Sequence, residues 1–230
     1  MIAKDETIHI VWAHHGEIDN GFAISLLDLV TKSGRNLTYN SMRGLGLLAK
    51  TRNMLVKTFL DDTTADWLFM IDGDEFASLD SFEKLARAAD AEKVPIISGL
   101  CFGNKSPVDL EPSPCIFIFN ETKTFTPYYE YPEDKVVPIA AAGAGCLMIH
   151  RSVLEAVRKQ EEEISGKDWA WFQDGPAGHN TWLSEDLMFS LRVVAAGYQM
   201  YAHTGAVFPH HKDLWLTDKH YKQFMAGPAS

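Results

Sequence analysis

The chain of 230 residues is 46% hydrophobic, 11% aromatic and 23% charged; this excludes a disordered or fibrous protein, and an α/β domain of this size needs no disulfide or structural metal to hold its core. With 21 Lys and Arg against 31 Asp and Glu the formal charge is −10, which disfavours a broad basic face gripping a phosphate backbone and leaves room only for a local basic groove near Arg43, Lys50 and Lys57. No run approaches the ~18 apolar residues of a membrane span, and Met1–Thr7 is polar where an export signal needs an apolar stretch, so the expectation is a cytoplasmic protein with no membrane span.

In chain order, the β-branched and aromatic run Thr7–Ala13 predicts a strand, followed by the polar loop His14–Asn20. Gly21–Lys32, with Phe22, Leu26 and Leu29 on one face and Gly34 beyond its end, predicts an amphipathic helix, and Leu37–Asn40 a short strand. In the second helix, Leu47–Leu60, the stripe of Leu48, Leu55 and Phe59 has Arg52 in its middle. Trp67–Ile71 is a fully apolar strand running into Asp72-Gly73-Asp74, and Asp80 with Glu83 reads as a capping box for a helix carrying Phe82, Leu85 and Ala89. Val94–Phe102 is a further strand. Between Gly103 and Pro138 the prolines break the chain into short strands, Cys115–Phe119, Thr124–Tyr129 and Val136–Ile139, which predicts an antiparallel flap. Cys146–Ile149 is a strand, Arg151–Glu163 a helix with a solvated acidic end, Ser184–Ala196 a helix capped by Ser184, and Tyr198–Tyr201 a last strand before a His-rich tail. Cys101, Cys115 and Cys146 are odd in number, lack metal-ligand spacing and sit beside apolar residues, so they read as buried reduced thiols.

Several of these residues carry chemistry. Two carboxylates on a tight turn at the carboxyl end of an apolar strand can hold a hard divalent cation while leaving positions for a ligand's phosphates, although Asp and Gly also make plain strand-end turns. A guanidinium inside an apolar stripe requires an anionic partner, either a diphosphate or a neighbouring Asp. In Ser184-Glu185-Asp186 one acid can cap the helix while the next acts as a general base. His203, His210 and His211 are metal-ligand candidates or a His-rich surface loop. Gly143-Ala144-Gly145 permits close backbone approach, and Trp169, Trp171, Phe172 and Trp182 surround Gly175–Gly178 as a lid with aromatic faces or as core edge.

The order of these motifs, Lys50-Thr51-Arg52-Asn53, Asp72-Gly73-Asp74, Gly143-Ala144-Gly145-Cys146, Ser184-Glu185-Asp186 and a terminal histidine, resembles the GT-A glycosyltransferases, especially the family 2-like enzymes of bacteria and phages, over roughly Ile8 to Tyr221. The resemblance implies an α/β fold: one GT-A (Rossmann-like) domain over 1–230, a mixed, mainly parallel sheet with helices on both faces and a small flap, with a nucleotide-sugar-binding half, 1–102, and an acceptor-binding half, 103–230. It implies a metal-dependent glycosyltransferase that moves a sugar from a UDP- or GDP-sugar to a hydroxyl acceptor: a saccharide, a small molecule or a modified DNA base. By the same resemblance Ala13, Glu17, Arg52, Asp72, Gly73 and Asp74 bind the donor, Asp72, Asp74 and His211 (with His210 as its rival) hold Mn2+ or Mg2+, Glu185 and Asp186 are catalytic, and Gly145 and Trp182 lie on the acceptor side. The family's usual Pro and Asn-Glu after the first strand are absent from Ala13-His14-His15-Gly16-Glu17, which leaves the nucleotide open. The alternatives are a haloacid-dehalogenase-like phosphohydrolase, which also opens its site with an apolar strand and DxD, or a binding module whose acids are structural.

Overall fold

A computed structural model describes residues 1–44, 46–104, 111–177 and 181–212, together with 222 and 225. Gly178 of the aromatic loop and Tyr221 lie outside the described residues. The elements are β1 (Thr7–His14), α1 (Asn20–Lys32), β2 (Asn36–Arg43), α2 (Leu48–Asp62), β3 (Trp67–Ile71), α3 (Leu79–Ala88), β4 (Ile96–Leu100), β5 (Phe102–Asn104), β6 (Pro112–Pro114), β7 (Ile116–Phe119), β8 (Phe125–Pro127), β9 (Val136–Ile139), β10 (Ala141–Ala142), β11 (Cys146–His150), α4 (Arg151–Ser165), β12 (Gly175–Pro176), β13 (Trp182–Leu183), α5 (Glu185–Ala195) and β14 (Met200–Val207).

A seven-stranded sheet of order β2-β1-β3-β11-β4-β14-β9 organises the chain. β2, β1, β3, β4 and β14 share one direction, whereas β11 runs against both its neighbours and β9 against β14. β3 shows how the core is divided: alternate side chains point to opposite faces, so Leu68 and Met70 join Leu55 and Phe59 of α2, Val157 of α4 and Phe189 of α5. Trp67, Phe69 and Ile71 join Phe22 of α1 and Phe82 and Leu85 of α3 on the other face. With both faces covered, all five β3 residues are buried, which is why this strand reads as a continuous apolar run. Small antiparallel sheets, β5-β6 and β10-β7-β8, carry the Pro-rich middle. Among the described residues no helix is long and apolar enough to cross a membrane.

Several local expectations are corrected. Val136–Ile139 is an edge of the central sheet instead of part of the flap, because Val137 and Ile139 alternate inward against β14. The last strand extends past Tyr201 to Val207 with Met200, Ala202, Thr204 and Ala206 buried in alternation, so His203 belongs to a strand and not to the tail. α3 is capped by Ser78, whose hydroxyl accepts from Ser81 N at 3.1 Å; Asp80 pairs instead with Lys84, and Glu83 with Arg35. Glu161 is not solvated surface: it is largely buried and holds Arg192 at 3.1 Å. Ser184 occupies the N-cap position of α5 without a side-chain cap bond.

At the carboxyl end of α2, whose last turn has no basic residue of its own, Arg151 supplies the missing donors. Its guanidinium bonds the carbonyls of Phe59, Leu60, Thr63 and Ala65 at 2.9–3.1 Å and lies 4.4 Å above the Phe59 ring. Carbonyls at a helix end have no partner within the helix, so Arg151 joins α2 to α4 through them. Replacing it with Met is expected to lower stability by about 2 to 3 kcal/mol, the scale of hydrogen bonds to a charged group, read as a lower urea midpoint at unchanged slope.

Candidate active site

The site begins where β3 ends. Asp72 N donates to Gly145 O at 2.9 Å and Glu75 N to Asp72 O at 3.1 Å, so Asp72-Gly73-Asp74 turns sharply. Asp19 N donates to Gly73 O at 3.1 Å, and a Cβ on Gly73 would sit 3.4 Å from Ala13 O, so the absent side chain lets the loop after β1 press against the turn. From the other side Phe76 N bonds Pro209 O and His211 N bonds Asp74 O, both at 2.8 Å. The turn is thus pinned on three sides by backbone.

Behind it lies Arg52, its side chain only 5% exposed. Nη2 donates to both oxygens of Asp72 at 2.9 and 3.1 Å, and Nη1 donates to Glu185 Oε1 at 2.8 Å. Burial disfavours the charge, but Asp72, Glu185 and Asp186 outweigh it and hold the guanidinium's pKa above its ordinary value. Next to it Asn53 makes a reciprocal pair with the Phe172 backbone, donating to O at 2.6 Å and accepting from N at 2.7 Å. α2 therefore fixes β3, the start of α5 and the aromatic segment at once.

A cleft of about 520 Å3 opens in front of the turn, lined by Ala13, Glu17, Asp72, Gly73 and Asp74 together with His14, His15, Asp19, Thr51, His210, His211 and Lys212. The chain after β14 is extended here, and its side chains alternate. His210 and Lys212 meet Asp74 Oδ2 at 3.0 and 3.1 Å, whereas His211 turns to Asp19 at 2.8 Å. Burial pushes the Asp74 pKa up, but His210 and Lys212 outweigh it and bring it down to about 2. The second ring nitrogen of His210 lies 3.1 Å from Phe102 O. A carbonyl only accepts, so Nδ1 carries a proton, and in the neutral ring Nε2 presents its lone pair to Asp74. A proton bridges the 3.0 Å contact when the ring is protonated, and a cation can take the proton's place when it is neutral. A carboxylate oxygen and an imidazole nitrogen are donors suited to a first-row divalent ion such as Mn2+, so the residues fit a metal.

The remaining expected residues lie outside the lining of this cleft. Arg52 sits behind Asp72 and outside the cleft lining. Glu185 is held by Arg52; Asp186 Oδ1 accepts from Leu187 N at 2.8 Å and from the Ser184 hydroxyl, while Oδ2 faces Gly143. Gly145 is buried against Glu75 and is not part of the cleft lining. Trp182 is exposed on β13 with its indole N–H on Asp174 at 3.0 Å. Trp171 and Phe172 are core residues, while Trp169 borders a second cavity of about 480 Å3 that it shares with Met54 and Phe172. Lys57 is engaged by Asp61 and Asp168. The sequence reading missed Asp19, Lys212 and the inward turn of Glu75. The signal for Lys212 was there: strand alternation continued past β14 puts His210 and Lys212 on one face and His211 on the other. Burial and the nearby Asp72 push the Glu75 pKa well above the usual carboxylate range.

No family model and no curated protein matches this sequence. Among solved structures, "Crystal structure of GalNAc-T7 with UDP, GalNAc and Mn2+" is similar at 9% identity and a TM-score of 0.58, over 91% of this chain and 44% of that one. The fold is GT-A-like. The chain spans less than half the length of that protein, and at this identity the likeness concerns fold. "Crystal Structure of A197 from STIV" is matched at 17% identity and a TM-score of 0.48, over 90% of this chain and 86% of that one.

Because the folded pKa of Asp74 lies below its ordinary 3.8, the carboxylate's contribution to stability is present above that value and is lost as pH falls toward 2. Carboxyl-carbon NMR should show Asp74 titrating near pH 2, and Lys212→Ala should raise that midpoint toward the ordinary value. Arg52→Met should destabilise the fold by about 3 to 5 kcal/mol in chemical denaturation, since it strands Asp72 and Glu185 without their shared cation.

Proposed function

We propose that the chain is a metal-dependent glycosyltransferase that takes a nucleoside-diphosphate sugar, UDP- or GDP-linked, in the cleft and transfers the sugar to a hydroxyl acceptor. The observation carrying this reading is the pairing of Asp74 Oδ2 with His210 Nε2 at 3.0 Å on the cleft wall, at the carboxyl end of β3. Asp74 and His210 would hold Mn2+ or Mg2+, whose positive charge would stabilise the leaving diphosphate. Asp72 has both oxygens engaged by Arg52, so it orients the turn and contributes less to the ion. Lys212 adds a second cation beside Asp74, suited to a donor phosphate. Ala13, Glu17 and Asp19 lie where the nucleoside would enter.

On the acceptor side, Glu185 is committed to Arg52, and Asp186 keeps Oδ2 clear of its capping bonds. We assign Asp186 as the group that takes the acceptor's hydroxyl proton, with Glu185 as a positioning residue. Gly145 and Trp182 would border this half, which we take as 103–230, with 1–102 supplying most of the donor contacts. The engagement of Lys57 by two aspartates and the charge of −10 favour a saccharide or small hydroxyl compound over duplex DNA as acceptor. A phosphohydrolase would need Asp72 free as a nucleophile, and its bidentate pairing with Arg52 disfavours that reading.

The test is nucleoside-diphosphate release from UDP-, GDP- and dTDP-sugars with Mn2+, Mg2+ or chelator. Slow metal-dependent release from one donor is expected, falling by about 100-fold or more in Asp74→Ala and His210→Ala. Once an acceptor is found, Asp186→Asn should lower kcat by about 100- to 10,000-fold with little change in donor KM. Absence of both donor binding and release under every metal would overturn the assignment.

A further inference from the structure

Behind the Asp72-Gly73-Asp74 turn, on the side away from the cleft, the fold gathers groups that are far apart in sequence. Glu75 leaves the turn inward and is 1% exposed, and among the described residues no nitrogen or hydroxyl donor reaches its carboxyl, whose neighbour is the Cys101 thiol. A Cβ on Gly145 would overlap Glu75 Oε1, so the glycine is what makes room for the carboxylate. Against it lie Cys101, between β4 and β5, and Cys146, the first residue of β11, both buried free thiols. One oxygen of Glu75 and the two sulfurs lie within 4.8 Å of one another. The thiol of Cys115, at the chain crossing beside β6, flanks Cys101.

We propose that Glu75, Cys101 and Cys146 form a second metal site, buried and separate from the cleft, for a thiophilic d10 ion of the zinc class. A buried carboxyl group that no nitrogen or hydroxyl donor reaches is carried either as the neutral acid or beside a cation, and an ion bound by carboxylate and thiolate would supply that cation. The softness of two sulfurs selects zinc over magnesium or manganese. A tetrahedron with ~2.3 Å zinc–sulfur bonds has edges of roughly 3.7 Å, so ligand atoms within 4.8 Å need only about an ångström of closure. The ion would tie the turn after β3, the end of β4 and the start of β11 together directly beneath Asp72 and Asp74. This inference is independent of the glycosyltransferase reading, since the cleft presents oxygen and nitrogen donors and this site presents sulfur.

The test uses the full chain expressed in zinc-depleted, Co2+-supplemented medium, purified with a reductant and passed through EDTA to strip accessible ions. About one cobalt per chain should survive, with a near-ultraviolet thiolate-to-cobalt charge-transfer band. The band should be lost in Cys101→Ser and Cys146→Ser, cobalt retention should fall at least tenfold in Glu75→Gln, and the band should persist in Asp74→Ala and His210→Ala, which affect only the cleft. If a serine variant fails to fold by circular dichroism, the wild-type spectrum and the near-isosteric Glu75→Gln decide. Folded wild-type protein that keeps no cobalt while all three thiols titrate on denaturation, or a band that survives in both serine variants, overturns the site; loss of the cleft metal alone leaves it intact and counts only against the proposed transferase activity.

Discussion

One buried guanidinium organises this molecule. Arg52 comes from the middle of an apolar helix face, and water cannot reach it to solvate its charge, so the fold must deliver anions to it. It receives Asp72 from the end of β3 and Glu185 from the start of α5, residues 20 and 133 positions away in the chain. A fork of donors accepts only a narrow range of carboxylate placements. The approach of α5 to β3, and with it the distance between the proposed donor and acceptor halves, is therefore set by a charge pair.

The turn in front of Arg52 is held by the backbone on three sides and by side chains at both ends. Asp72 is neutralised from behind by Arg52, while Asp74 faces the cleft with His210 and Lys212. The two acids of one short motif thus have different tasks. Glu75, one residue on, points into the core toward two sulfurs. Three carboxylates in a stretch of four residues are separated by the turn into three environments.

β11 is central to this arrangement. It runs antiparallel between β3 and β4, so its first residues lie beside the carboxyl ends of both. Gly145 and Cys146 are brought to the turn by that reversal; a parallel strand would place its last residues there instead. The Gly145 carbonyl that receives Asp72 N and the missing side chain that admits Glu75 both follow from it.

Much of this was written locally in the sequence. The apolar run of β3 and its Asp-Gly-Asp ending, the stripe of α2 interrupted by Arg52, and α1 between its loop and Gly34 follow from periodicity and turn chemistry, which depend only on neighbours along the chain. That Arg52 needs an anion was also legible, because desolvation is a property of the face on which it sits. Which anions it would find was not, because Asp72 and Glu185 meet it only through the packing of α2 against the sheet and α5. The tertiary structure likewise decided that His210 and Lys212 approach Asp74 while His211 reaches Asp19, that Val136–Ile139 closes the sheet edge, and that cysteines 101 and 146 meet Glu75. Sequence fixes what each residue can bind and which way neighbouring side chains alternate; strand order and direction decide which partners arrive, because contacts across a sheet join segments whose separation along the chain carries no distance information.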